Sequence, residues 1–246
     1  GHNSGLAHDG SHEWMLIVAT GAPNGFTYTL SHGVLVLTVS QVQDGVSVDV
    51  LRITLSNAID GNYTIQQLHA IDHAPGGNEN DQPFTFHYVV TDSNGDTADG
   101  SLGLTVNDDT PTVAANAPIT FDEDALPGGN LGGVGDYHPG DNGPISASGT
   151  LSHSYGADGA GTVLLSATGA PEGFTYSVND AGTVLTVSQI QNGVSVDVLQ
   201  IVLTDRTSGD YTITQLHAIN HAPGLDENNQ DFTFNYTVTD HDSDTA

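Results

Sequence analysis

One segment of this chain occurs twice, and that duplication limits the possible folds more than any other feature. Residues 19–98 and 167–246 align without a gap, each position recurring 148 residues later, as Thr20 does at Thr168. Thr20-Gly-Ala-Pro-Asn-Gly-Phe-Thr-Tyr28 returns as Thr168-Gly-Ala-Pro-Glu-Gly-Phe-Thr-Tyr176, and Leu68-His-Ala-Ile-Asp-His-Ala-Pro-Gly76 as Leu216-His-Ala-Ile-Asn-His-Ala-Pro-Gly224. Solenoid periods run about 20–50 residues, so this period is too long for a solenoid unit. It is the size of a whole domain. The chain therefore reads as a tandem array of one module, an arrangement that supplies length, spacing or multivalency before chemistry.

Within each module the apolar residues alternate. Phe84, Phe86, Tyr88 and Val90 share one face, as do Phe232, Phe234, Tyr236 and Val238, and Val46, Val48 and Val50 repeat as Val194, Val196 and Val198. Period two is the signature of half-buried strands. Val34–Ser40, Thr183–Ser188 and Ser101–Val106 are further strand candidates, and Ile119–Asp124 reads as a strand running into an acidic turn. Gly, Asn, Asp and Pro separate these runs at short intervals, which points to an all-β fold of two tandem antiparallel sandwiches. After Val198 the apolar phase changes to Leu199, Ile201 and Leu203, which suggests a bulge or a strand crossing between sheets. Short helical turns are expected near Gln67–Ile71 and Gln215–Ile219, a long loop over Gly128–Gly143, and a buried position or boundary packing for the single Trp14. The boundary falls in Asn107-Asp-Asp-Thr-Pro-Thr-Val113, where Pro111 stiffens the joint, giving modules at 1–110 and 111–246. The first has no counterpart of Ile119–Asp124 and the second none of Ser101–Val106. Each module is thus expected to lack a terminal strand; the plainer reading is that the sequence is cut away from the domain boundary, and the sharper one is strand donation between successive subunits.

Charge narrows the function. The chain carries 30 acidic residues, two arginines and no lysine, for a formal net charge of −28. Phosphate recognition needs cationic side chains, so nucleic acid is excluded as a partner. An anionic membrane surface is excluded by the same repulsion, and no apolar run is long enough to insert into a membrane. Only five of the acids are Glu and 25 are Asp. An Asp excess suits loops and hard-cation sites, and bound divalent cations would relieve the self-repulsion. A solvated acidic surface is the competing reading. With no cysteine, no disulfide or thiolate site exists.

The best site candidate is Asp240-His-Asp-Ser-Asp244, with Asp92-Ser-Asn-Gly-Asp96 in the first copy. Acids at alternate positions of a turn aim several oxygens at one point, as the first half of a calcium loop does. The twelfth-position Glu of a helix–loop–helix site is absent, since position 103 is Gly103. The competing reading is a plain hairpin, because Asn94-Gly95 is a strong turn signal. A second candidate is the joint, where Asp108 and Asp109 precede Asp122, Glu123 and Asp124 and a bridging Ca²⁺ would fix the hinge. Asp158 in Gly156-Ala-Asp-Gly-Ala-Gly161, with Glu79 and Glu227, could complete coordination shells. His69/His73 and His217/His221 have the i,i+4 spacing of a helical zinc pair, but no Glu follows the first His and a structural role fits better. No nucleophile elbow and no phosphate loop ending in Lys is present. The expectation is that the chain is not an enzyme.

Taken together, Phe121-Asp-Glu-Asp-Ala-Leu-Pro-Gly-Gly-Asn130, Gly149-Thr-Leu with Tyr155-Gly-Ala-Asp-Gly-Ala-Gly161, Asp240-x-Asp-x-Asp244 and the joint Val106-Asn-Asp-Asp-Thr-Pro111 resemble the long repeats of giant bacterial adhesins secreted by type 1 systems, the RTX adhesins. That resemblance implies immunoglobulin-like or cadherin-like sandwiches in series, calcium at loops and joints, and neighbouring repeats as partners. It implies a secreted, cell-surface extender that serves attachment and biofilm formation. The glycine-rich nonapeptide that names the RTX class is missing, and Asn94 stands where an Asp is expected. Two alternatives stay open: a module that itself binds a glycan or protein, and a fibre subunit that associates head to tail through donated strands.

Overall fold

A computed structural model describes residues 14–31, 35–75, 79–129, 145–223 and 228–246. The chain divides into two units, Gly1–Asp109 and Thr110–Ala246. Among the described residues the only helix is a single 3-10 turn at Glu123–Ala125.

The first unit holds β1 (Trp14–Val18), β2 (Phe26–Ser31), β3 (Val36–Gln43), β4 (Val46–Leu55), β5 (Tyr63–Gln67), β6 (Gln82–Thr91) and β7 (Thr97–Val106). They form two antiparallel sheets, β2-β3-β4-β5 and β1-β6-β7. The inward residues of both sheets meet in one core, where Leu37, Val39, Val50 and Ile53 face Ile17, Phe84 and Phe86. This is a β-sandwich, and alternation is what builds it, since each strand gives every second side chain to the core.

The second unit repeats the plan with β8 (Thr112–Val113), β9 (Ser146–Thr150), β10 (His153–Ser154), β11 (Thr162–Ser166), β12 (Phe174–Val178), β13 (Val184–Gln191), β14 (Val194–Leu203), β15 (Asp210–Gln215) and β16 (Asn235–Thr239). Its large sheet runs β12-β13-β14-β15-β9, its second sheet is β11-β16, and β8 pairs with β10. Leu185, Val187, Val198 and Ile201 match the buried set of the first unit. The ring contacts match too. Phe26 meets Phe84 edge-on at 5.0 Å and Phe174 meets Phe232 at 4.9 Å.

Two local devices recur. The β3–β4 and β13–β14 hairpins turn on Asp44-Gly45 and Asn192-Gly193, all four with positive φ between 49° and 81°. Such a turn matches the natural twist of the strands. The phase change read at Val198 is a β-bulge. The β13–β14 register jumps from Val187↔Leu199 to Ser188↔Asp197, and the β3–β4 register from Val39↔Leu51 to Ser40↔Asp49. The extra residue lets Val50 and Leu51, like Val198 and Leu199, both face inward.

Four expectations need correction. Gln67–Ile71 and Gln215–Ile219 form no helical turn. The chain there runs as irregular backbone whose polar groups are met by glutamines of the neighbouring strands. Gln41 Nε2 donates to the Asp72 carbonyl at 2.6 Å while the Asp72 N–H donates to Gln41 Oε1 at 2.9 Å, and Gln43 donates to the Ala70 carbonyl. Gln189 and Gln191 do the same for Asn220 and Ala218. Ile119–Asp122 is not a strand. The expected strand Phe232–Val238 pairs only from Asn235, because β11 reaches no further than the Ser166↔Asn235 pair, whereas residues 82–86 of β6 are held by β7. Trp14 is 41% exposed, at the start of β1. Most of the Gly128–Gly143 loop lies outside the described residues.

Candidate metal centre

The site begins where β16 ends. Asp240 to Asp244 make a tight turn closed at both ends. The Asp240 N–H donates to the Asp244 carbonyl at 3.1 Å, and the Asp244 N–H donates to Asp240 Oδ1 at 2.7 Å. Thr239 and Thr245 bridge just outside it. Ser243, between Asp242 and Asp244, takes φ 82°, in the left-handed region that few residues other than glycine adopt. One oxygen from each of Asp240, Asp242 and Asp244 lies within 4.8 Å of the others. Two oxygens on one Ca²⁺ sit at most about 5 Å apart, twice the metal–oxygen distance. The spacing of the triad fits that ion.

Burial separates this loop from an ordinary acidic turn. Asp240, Asp242 and Asp244 are 4%, 5% and 1% exposed. With the three carboxylates charged, neither oxygen of Asp242, nor Oδ2 of Asp240, meets an N–H or O–H donor. A buried carboxylate without donors is costly in its charged form. Burial first, then a proton shared with Asp242 and the charges of Asp242 and Asp244, push the Asp240 carboxyl from 3.8 up to about 7, against the opposing pull of the Asp244 N–H. A divalent cation would supply the missing counter-charge and the missing partner at once. The donor set is all oxygen, which selects a hard cation such as Ca²⁺ over zinc.

The loop expected to contribute Asp158 is placed beside the triad. Asp158 and Asp242 offer oxygens within 4.8 Å of each other. Gly161 explains how the loop comes so near. A Cβ on it would lie 2.0 Å from the Thr239 carbonyl oxygen and 2.4 Å from that of Asp240, so only glycine permits the approach.

The counterpart in the first unit has the same backbone and a different outcome. The Asp92 N–H donates to the Asp96 carbonyl at 3.0 Å, and Asp92 Oδ1 accepts from the N–H groups of Asn94 and Asp96. Asn94 Nδ2 donates to Asp96 Oδ2 at 3.2 Å, and Asn94 and Asp96 are both exposed. The loop supplies its own donors, as a stable turn does.

The remaining candidates divide between the units. Asp108 is 7% exposed, accepts from the Asp109 and Asn80 N–H groups, and lies 3.9 Å from His73 Nε2. Asp109 is exposed. In the second unit, Asp122 caps the 3-10 turn by accepting from the Asp124 N–H at 2.9 Å. Glu123 Oε1 accepts from Gln215 Nε2 at 2.9 Å and from the Ile219 N–H at 2.7 Å, with His221 Nε2 at 3.6 Å. It pins the loop after β15. His69 and His217 each hold a backbone carbonyl, of Asp49 and Asp197, through Nδ1. Glu79 is exposed and Glu227 lies outside the described residues. The anchoring roles of Glu123 and of the glutamine pairs went unread in the sequence. The signal was present, since Ser40-Gln-Val-Gln43 recurs as Ser188-Gln-Ile-Gln191.

Fold and site together define a tandem all-β sandwich protein with a buried, oxygen-only carboxylate loop at the end of its last strand. The chain belongs to the family described as Domain of unknown function (DUF5801), whose profile matches residues 108–246, more than half of its length. Comparison with curated proteins and with solved structures gave no match. No helix among the described residues is long and apolar enough to cross a membrane.

Proposed function

We propose that the chain is a calcium-rigidified extender segment of a secreted bacterial cell-surface adhesin, which spaces a distal binding region from the cell for attachment and biofilm formation. The observation that carries this reading is the Asp240–Asp244 loop, three buried carboxylates brought within 4.8 Å with donor-free oxygens on Asp240 and Asp242. Calcium held by Asp240, Asp242 and Asp244, with Asp158 beside Asp242, neutralises the cluster and stabilises the turn that closes the second sandwich. Whole-domain duplication supports a spacer, since length grows by adding modules. With calcium about 100-fold above Kd, binding to the folded state alone adds about 2.7 kcal/mol.

Small-angle scattering with calcium and with chelator tests the extender reading. The expected result is a larger radius of gyration and a broader distance distribution on chelation. Superimposable profiles would remove the rigidification argument even if calcium binds.

A further inference from the structure

An interior strand of each large sheet has an unusual composition. β3 reads Val-Leu-Thr-Val-Ser-Gln-Val-Gln and β13 reads Val-Leu-Thr-Val-Ser-Gln-Ile-Gln, identical except at Val42 and Ile190. Among the described strands of eight residues or more, these two alone contain no charged residue, proline or glycine. β4 and β14 carry Asp49 and Asp197, β6 carries Pro83, and β7 carries Asp99 and Gly100. Both faces of β13 suit close stacking. Leu185 and Val187 are fully buried, and Val184, Thr186, Ser188 and Ile190 alternate with them. An uncharged run of β-branched and apolar residues without proline or glycine is the type of sequence that stacks on itself as a steric zipper.

The fold keeps both strands covered. β3 lies between β2 and β4, and β13 between β12 and β14. The cover is unequal on the two sides. β14 follows β13 through the tight Asn192-Gly193 turn and pairs along its whole length, Val184↔Val202 to Gln191↔Val194. β12 pairs only from Phe174↔Gln189 to Val178↔Leu185, and among the described residues it has no other strand partner. β2 stands at the same edge of the first unit. A short edge strand held on one side opens at low cost, and loss of β12 would bare the backbone groups of β13 along that edge. The side-chain amides of Gln189 and Gln191 hold Asn220 and Ala218 in the fold. The same amides form ladders when identical strands stack.

We infer that Val36–Gln43 and Val184–Gln191 are self-association segments, each pairing in register with the same segment of a second copy of the chain once β2 or β12 comes away. Composition selects the identical segment as partner. In-register stacking sets each residue about 4.8 Å from its own copy. For β13 that places Val on Val, Thr on Thr and Gln on Gln, with no like charges in contact. For β14 it would set Asp197 on Asp197, and for β4 Asp49 on Asp49 and Arg52 on Arg52, which repulsion opposes. Neither segment includes a carboxylate of the Asp240–Asp244 loop, so the pairing itself needs no cation.

The full chain held at its unfolding midpoint tests this, in about 0.15 M salt so that its acids repel over only about 8 Å. The expected result is fibres that diffract at about 4.8 Å and about 10 Å, with a protease-resistant core that includes residues 36–43 and 184–191. Thr38→Glu combined with Thr186→Lys puts charges on half-buried outward positions, opposite Arg52 in the first unit and Gln200 in the second, where the folded sheet accepts them. In a stack those charges would recur about every 4.8 Å, so the lag before assembly should lengthen about tenfold or more. Thr27→Glu combined with Thr175→Lys makes the same charge change on β2 and β12 and should leave the lag unchanged. Each variant is held at its own midpoint, so a difference in stability does not enter. Amorphous precipitate, no assembly, a core outside both segments, or equal lags in the two variants would overturn the inference.

Discussion

The loops at residues 92–96 and 240–244 share a backbone and differ in what their carboxylates meet. In the first, Asn94 gives Asp96 a donor and the turn lies in water. In the second, Asp242 stands at the position of Asn94 and the whole set is buried. Asp242 in place of Asn94 removes the donor, His241 and Ser243 stand where the first loop has Ser93 and Gly95, and a loop that approaches through Gly161 lies beside the acids, so the second turn is a charged pocket rather than a self-satisfied hairpin. A turn with alternating acids is therefore an incomplete description of a cation site. What makes one is an acid that lacks a donor where water cannot replace it.

The cores offer the largest effect with which to check that the units are otherwise alike. Leu37 and Leu185 are each fully buried at equivalent positions. Leu37→Ala and Leu185→Ala should each cost about 2–5 kcal/mol by denaturant unfolding, and a large disparity would show that the cores are not equivalent. Next comes the metal response. Saturating calcium should raise the melting temperature of the second unit by about 10 °C when the ion is about 100-fold above Kd, and that of the first much less. Asp242→Ala with Asp244→Ala should remove the shift, whereas Asp92→Ala with Asp96→Ala should leave it. Equal losses from both pairs would mean that only bulk charge matters.

The pH dependence follows from Asp240, whose carboxyl moves from 3.8 up to about 7 on folding. Between those values the folded state keeps a proton that the unfolded state has lost, so stability falls as pH rises through that window and the penalty is complete above it. In chelator the second unit should melt progressively lower from pH 4 to pH 7. Calcium should flatten that slope, because the ion takes the place of the proton. Smallest is Asp242→Asn, which imitates Asn94. It should raise metal-free stability by about 1 kcal/mol, by removing a buried charge and adding a donor, and should abolish the calcium response.

Much of the fold was legible in the sequence because alternation and turn chemistry are local. The Phe84–Val90 face, the Asp44-Gly45 and Asn192-Gly193 turns and the bulge beside Val198 are all set by residues close in sequence. The misreadings arose where the partner is distant. Residues 215–219 look like a short helical turn until Gln191 and Glu123 are seen to hold the backbone of Ala218 and Ile219, and Gln189 that of Asn220 just beyond. Phe232 belongs to a strand-like run that stops pairing at Asn235, because pairing depends on a neighbour and alternation does not. At the site, the alternating acids were visible and their burial was not. At the alternating positions, sequence separates the two loops only by Asn94 in place of Asp242, and the burial of the second shows in three dimensions alone.

Anomalous diffraction from crystals grown in calcium addresses the metal centre most directly. The account expects one strong peak about 2.3–2.6 Å from oxygens of Asp240, Asp242 and Asp244, and none in the Asp92–Asp96 loop. A well-ordered Asp240–Asp244 loop with only water among its carboxylates, in saturating calcium, would contradict it.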